Sequence, residues 1–185
     1  MSLYEAVFWE VILSWAVWIY IPIFRAPHNQ KRDSITASRP TQVGLLFEMA
    51  AYCIATLVRQ PSPPGAPRLI AAAIAAPLGV VVMWTAVAHL GKQFRINAGL
   101  YHDHELVRTG PYAVIRHPIY GSMLLMLLGT ALVLTRPVWI AVALVLFLTG
   151  TEIRVHTEDG LLASRFGDQF TAYRRKVSAY IPFVR

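Results

Sequence analysis

Charge is scarce in this chain. Asp, Glu, Lys and Arg make up 15% of its 185 residues, against roughly a quarter in an average soluble domain. The shortage is uneven, and several long windows carry almost no charge at all. Cysteine is scarcer still. Cys53 is the only one and lies inside an apolar run, which excludes an internal disulfide and a cysteine metal cluster. A cleavable leader pattern is also missing. The first apolar run starts at Leu3 with no basic stretch before it and no small-residue cleavage site. It ends at Pro22, Ile23 and Phe24 before Arg25, and it reads as a retained membrane helix.

Apolar length fills the space that charge leaves. Hydrophobic residues are 56% of the sequence, gathered in runs close to the roughly 20 helical residues that cross a bilayer core. Five spans are expected, at Leu3–Phe24, Thr41–Val58, Leu69–Leu90, Pro118–Leu134 and from Pro137 to Gly150 with a continuation. Prolines punctuate them: Pro40 before the second, "RQPSPPGAPR" (59–68) between the second and third, and "TRP" (135–137) joining the fourth to the fifth as a hairpin. Pro77 inside the third predicts a kink. The class is all-α, a polytopic helical membrane protein.

The formal charge of +7 is asymmetric. With five spans, fourteen Lys and Arg residues fall on one side and three on the other. Basic loops stay in the cytoplasm, so the C-terminus is expected there. That accounts for the positive balance without nucleic acid. From Pro137 the helical pattern continues to Gly167, a C-terminal cap. Such a helix is about 45 Å long, so its second half must project beyond a bilayer core of about 30 Å. Gly160 is the one residue in it that argues for a break. A short amphipathic tail follows, with Phe170 and Tyr173 on one side and Arg174, Arg175 and Lys176 near the headgroups.

Residues with chemical potential collect at that inner edge. In "RHPIYG" (116–121) Pro118 suits the first turn of a helix, His117 is the N-cap and Tyr120 lies in the first turn. Gly121 and Ser122 leave room for a ligand or another helix. The plainer reading is that Arg116 and His117 anchor a helix at the interface. On the long last helix stand Glu152, Arg154, His156, Glu158 and Asp159, which a solvated, ion-paired helix would also carry. The hairpin brings these two groups together. Arginines and carboxylates there could bind a zwitterion, beneath a lid made by "YHDHELVRTGPYAVIRHP". His102 and His104 lack a suitably spaced third ligand, so no metal is expected. Two acids, Glu10 and Glu48, lie at lipid depth with no basic residue at their level. They are expected to be protonated and hydrogen-bonded to each other or to a neighbouring helix.

The stretch "HELVRTGPYAVIRHPIYGSMLLMLLGTALVL", the hairpin and "EIRVHTEDGLLASRFGDQFTAYRRKVSAYIPFV" resemble the isoprenylcysteine carboxyl methyltransferase family, which is grouped with the phospholipid methyltransferases. The resemblance covers about residues 90–185. It implies methyl transfer from S-adenosylmethionine to a lipophilic small-molecule or lipidated acceptor that arrives through membrane lipid. It divides the chain into three N-terminal transmembrane helices (1–90) and a lid loop, helix hairpin and cytosolic tail forming the methyl-donor site (91–185). It places His104, Leu106, Val107, Gly110, Tyr112, Arg116, His117, Pro118, Tyr120, Gly121 and Glu158 at cofactor positions, and Arg154 near the reaction centre. Asp159 departs from the family's paired glutamates, and five spans are fewer than the eukaryotic prenylcysteine enzymes have. Arg154 or Arg116, as the catalytic arginine, would hold an acceptor carboxylate, the other arginine or the helix N-terminus the donor's carboxylate, and Glu158 the donor's cationic groups. A phospholipid amine or small thiol is the alternative acceptor. An NADPH-dependent sterol-type membrane reductase and a non-enzymatic membrane module are the alternatives to methyl transfer.

Overall fold

The computed structural model describes residues 1–25, 39–91, 94 and 105–184. Each expected apolar run is helical: α1 (Leu3–Arg25), α2 (Arg39–Leu57), α3 (Ala66–Leu90), α4 (Pro118–Leu134) and α5 (Pro137–Phe166), followed by the short α6 (Asp168–Lys176). Prolines occupy the first turns of α3, α4 and α5, where a missing N–H costs no intrahelical bond. Gly160 does not break α5, which runs for 30 residues and ends at Gly167 with φ +51°, a conformation that favours glycine. α3 likewise continues past Pro77.

Among the described residues three helices are long and apolar enough to cross a membrane: Leu3–Phe24, Ala66–Leu90 and Pro137–Phe166. α4, with 17 residues, is apolar but short, and α2 does not meet the same test. The protein is an integral membrane protein built of helices. Its outward faces carry Trp9, Leu13, Leu46, Ile74 and Val145, all large, apolar and exposed.

The helices pack in two groups. α3 lies between α1 and α4, while α2 runs along α5. The expected hairpin therefore holds at its ends and not along its length, because α4 and α5 touch much less than either touches its main partner. The segments 1–90 and 91–185 are interleaved in space. Small residues make this close approach feasible, as expected where lipid tails compete with side chains for apolar contact. A Cβ on Gly150 would lie 2.5 Å from the Gly44 carbonyl oxygen, and one on Gly129 would lie 2.9 Å from the Ala76 Cβ. Polar bonds act within and between the groups: Trp15 Nε1 donates to Thr130 Oγ1 at 2.9 Å inside the first, and Tyr52 Oη donates to the Met123 carbonyl at 2.8 Å across to it from α2.

The turn after α2 and the turn after α4 share one end of the bundle. Arg59 bridges to Thr135, and Arg68 Nη2 donates to the Thr135 carbonyl at 2.8 Å, neutralising carbonyls at a helix C-terminus. The start of α4, the end of α5 and α6 lie at the other end. A reporter fused after Arg185 is expected to read cytoplasmic and one inserted at Pro63 to read outside, following the basic asymmetry. An external signal from the tail fusion would overturn the five-span orientation.

Candidate active site

The first turn of α4 is built from both of its flanks. His117 is its N-cap, and its carbonyl accepts the Tyr120 and Gly121 amides at 3.1 and 3.3 Å. The amides of Arg116 and His117 donate to the carbonyls of Ser178 and Ala179, both at 2.8 Å. The tail after α6 thus lies beside residues 115–117 as a short parallel bridge. It also accounts for Gly121, where a Cβ would come within 2.9 Å of the Tyr180 carbonyl oxygen. The close approach expected at Gly121 is made by the chain's own tail.

Asp159 is the hub beneath this turn. Its side chain is 3% exposed and receives Arg116 Nη2 at 2.9 Å and His117 Nε2 at 2.9 Å, with Arg174 Nε at 3.6 Å. Arg116 also donates through Nη1 to the carbonyls of Val177 and Arg174, so it clasps the C-terminal end of α6 to α5. This differs from the expectation that Arg116 meets a ligand. Its guanidinium is buried, and its terminal nitrogens bond within the protein. A buried charge needs a counter-charge and hydrogen bonds; Asp159 and two carbonyls supply them to the terminal nitrogens, while Nε has no partner among the described residues.

His117 faces two acids, with Nε2 to Asp159 and Nδ1 to Glu158 Oε2 at 3.3 Å. Burial pushes its pKa down, but the hydrogen bonds and charges of Asp159 and Glu158 outweigh that and hold it above the ordinary value. Because the folded pKa is raised, the stabilisation is fully present below the unfolded value of about 6.5 and is lost as pH rises through the folded one. Unfolding temperature in detergent should therefore fall as pH is raised above about 6.5, and His117→Gln should flatten that slope. Equal slopes would separate His117 from the effect.

Glu158, with 24% of its side chain exposed, accepts the Tyr120 hydroxyl. Over the face of the Tyr120 ring lies Arg154, its guanidinium carbon 4.8 Å from the ring centroid, within cation–π range. Arg154 is turned into the bundle, with 14% of its side chain exposed. Nη1 pairs with Glu48 on α2, and Glu48 also accepts Thr151 Oγ1 at 3.1 Å. The expectation that Glu48 has no basic partner is corrected. Glu10 accepts Ser14 Oγ at 3.2 Å.

Arg116, His117, Pro118, Tyr120, Gly121, Arg154 and Glu158 therefore converge. Tyr112, in the 3-10 turn Gly110–Ala113, joins them through Tyr173, whose hydroxyl donates to the Tyr112 carbonyl. The Tyr112 hydroxyl is buried and has no hydrogen-bond partner among the described residues. Burial pushes its pKa up, so it remains a donor. Gly110 has φ +58°, and a Cβ there would run into the His89 ring, so glycine is required on both counts. Leu106 and Val107 are half-buried in the approach to this turn. His104 lies outside the described residues, as do Tyr101 and His102. Arg174, Tyr173 and Tyr180 also reach this junction from the tail, and no spacing in the sequence links them to residues 116–121.

A profile of the "Isoprenylcysteine carboxyl methyltransferase (ICMT) family" matches residues 71–164, half of the chain. The chain belongs to that family. It is 34% identical over 110 residues to protein-S-isoprenylcysteine O-methyltransferase B of Arabidopsis thaliana, covering 58% of this chain and 55% of that one. It is 32% identical over 109 residues to protein-S-isoprenylcysteine O-methyltransferase of Tribolium castaneum, covering 58% and 39%. A cobalt-zinc-cadmium resistance protein, CzcN of Cupriavidus metallidurans, is 35% identical over 80 residues, covering 43% and 37%. The chain spans roughly 40–55% of the length of the first two of these relatives. The eukaryotic intramembrane Ras methyltransferase ICMT, a solved structure, shares the fold at a TM-score of 0.64 and 22% identity, covering all of this chain and 69% of that one.

The region matched to the family profile holds Arg116–Gly121, Arg154, Glu158 and Asp159. It leaves out Glu48 on α2 and the tail from Tyr173 to Tyr180. In this family member the junction is therefore completed by residues from both ends of the chain.

Proposed function

We propose that this protein is an integral membrane methyltransferase that uses S-adenosylmethionine to methylate the carboxylate of an isoprenylcysteine-like or other lipophilic acceptor. The observation that carries the reading is the placement of Arg154 over the face of the Tyr120 ring and of Glu158 on its hydroxyl. It presents a cation and a partly exposed carboxylate at one helix junction in the family-matched region. The residues fit a zwitterionic donor. Glu158 has acceptor capacity for cationic groups, and the buried Tyr112 hydroxyl lacks a partner among the described residues. Arg154 Nε is likewise buried and unpartnered among them.

S-adenosylmethionine, when bound, supplies an activated methyl group on sulfur. The protein's share of the work is orientation and exclusion of water. An acceptor carboxylate is already a nucleophile, so no residue has to remove a proton. Arg154 holds that carboxylate through its remaining N–H groups, and its planar fork fixes direction as well as charge. Glu158, held by Tyr120 and His117, counters the donor's positive charge. Arg116 acts one step behind, closing the tail over the start of α4. An open groove of about 700 Å³ lies between the first turn of α2 and the stretch of α5 that carries Arg154, lined by Pro40, Leu148, Ile153 and Thr157 together with Thr149, Glu152 and His156. The donor site belongs to residues 91–185, and the tail faces the cytoplasm.

A radiolabelled methyl-transfer assay on a panel of prenylcysteines, phospholipid amines and lipophilic thiols tests this reading. Label on the prenylcysteine that is released by mild base identifies a carboxyl ester. Base-stable label on an amine or thiol would replace the acceptor class, and calorimetric binding of NADPH in place of S-adenosylmethionine would replace the reaction.

A further inference from the structure

Arg154 and Glu158 stand four residues apart on one helix, the spacing at which opposite charges pair. Among the described ion pairs Arg154 goes instead to Glu48, and Glu158 to His117. Glu48 is 1% exposed, so its carboxylate is committed: one oxygen to Arg154, the other to Thr151. Two glycines make room for this arrangement. A Cβ on Gly44 would stand 2.6 Å from Arg154 Cγ, and one on Gly150 would stand 3.1 Å from Glu48 Cγ.

From this geometry we infer that Glu48 is a positioning residue of the active site, contributed by the N-terminal part of the chain. It draws Arg154 over the face of the Tyr120 ring and prevents it from collapsing onto Glu158, which takes the Tyr120 hydroxyl. The two opposite charges stay apart and available, one to an anionic acceptor group and the other to a cationic donor group. Without Glu48 the nearest acid in register with Arg154 on α5 is Glu158. Their pairing would close the site from within and occupy both binding groups at once. Thr151 assists by holding the second Glu48 oxygen. The inference rests on the methyltransferase reading for the identity of the two ligands, but the anchoring itself does not.

Two measurements test it on the full-length protein in detergent or nanodiscs. A thermal-unfolding cycle of Glu48→Gln, Arg154→Gln and the double variant reads the anchoring without any turnover. Each single variant is expected to lower the unfolding temperature by several degrees and the double by less than their sum, because the double leaves no unpaired buried charge. Strict additivity would overturn the pair. Kinetics with S-adenosylmethionine and a farnesylcysteine acceptor then compare Glu48→Gln with Glu48→Asp. Glu48→Gln should raise the acceptor KM at least tenfold, with Glu48→Asp recovering part of the loss, a pattern that reduced folding alone does not give. Wild-type KM and kcat in Glu48→Gln would overturn the positioning role. If the wild-type protein itself methylates no prenylcysteine, the functional reading fails, and the unfolding cycle still decides whether Glu48 anchors Arg154.

Discussion

Asp159→Asn is expected to cost about 3–5 kcal/mol of stability, the usual loss when one member of a buried ion pair is removed. Asp159 meets Arg116 and His117 at 2.9 Å each, and Arg116 is itself buried. An asparagine keeps the shape but presents one acceptor oxygen and no charge. Arg116 would be left with two carbonyls and no counter-charge, and the imidazolium of His117 would keep Glu158 alone. The loss should appear as a lower unfolding temperature in detergent and as earlier proteolysis of the tail, since the Arg116 clasp holds α6 and residues 177–180. Asp159→Asn unfolding like the wild type would mean that the cluster does not tie the tail to α5.

Glu158→Gln is expected to separate binding from folding. Glu158 is partly exposed, and a glutamine can still accept the Tyr120 hydroxyl, so the fold should survive. What disappears is the charge offered to a cationic ligand. Hydrogen bonds to charged groups contribute about 1.5–3 kcal/mol, so the S-adenosylmethionine Kd should rise roughly ten- to hundredfold. Isothermal titration reads this directly, with Glu152→Gln as the comparison on the same helix. Unchanged affinity in Glu158→Gln, with the unfolding temperature also unchanged, would remove Glu158 from the donor site.

The helices were legible in the sequence because their signals are local. Proline at the first turns, Gly167 past the last apolar repeat and the length of the runs set their ends without knowledge of packing. The partners were less legible. Residues 135–137 form a short turn, which makes α4 and α5 neighbours but does not name the main partner of either. Glycines at 44 and 150 decide it by letting α2 into contact with α5, and a pairing of two distant glycines carries no local pattern. Glu48 and Arg154 were separated by the same reasoning from depth. Side chains on a helix lean towards its N-terminus. α2 and α5 run in opposite directions, so Glu48 leans inwards and Arg154 outwards until they meet. Arg116 illustrates the converse: its motif marked the right place, but the tail that occupies its hydrogen-bonding groups comes from residues 174–179, which no spacing links to it.

The pairing of α2 with α5 also sets an order in time. Arg154 is synthesised 106 residues after Glu48. At about 5–20 residues per second the ribosome needs roughly 5–20 s to add that stretch. α1, α3 and α4 can associate as they emerge. α2 waits for its main partner, because most of its packing is against α5 and Glu48 is an acid whose counter-charge has not yet been made. Its insertion is completed retrospectively, when the last long helix arrives, so a chain arrested before α5 would present an unfinished α2 to the machinery that removes misassembled membrane proteins.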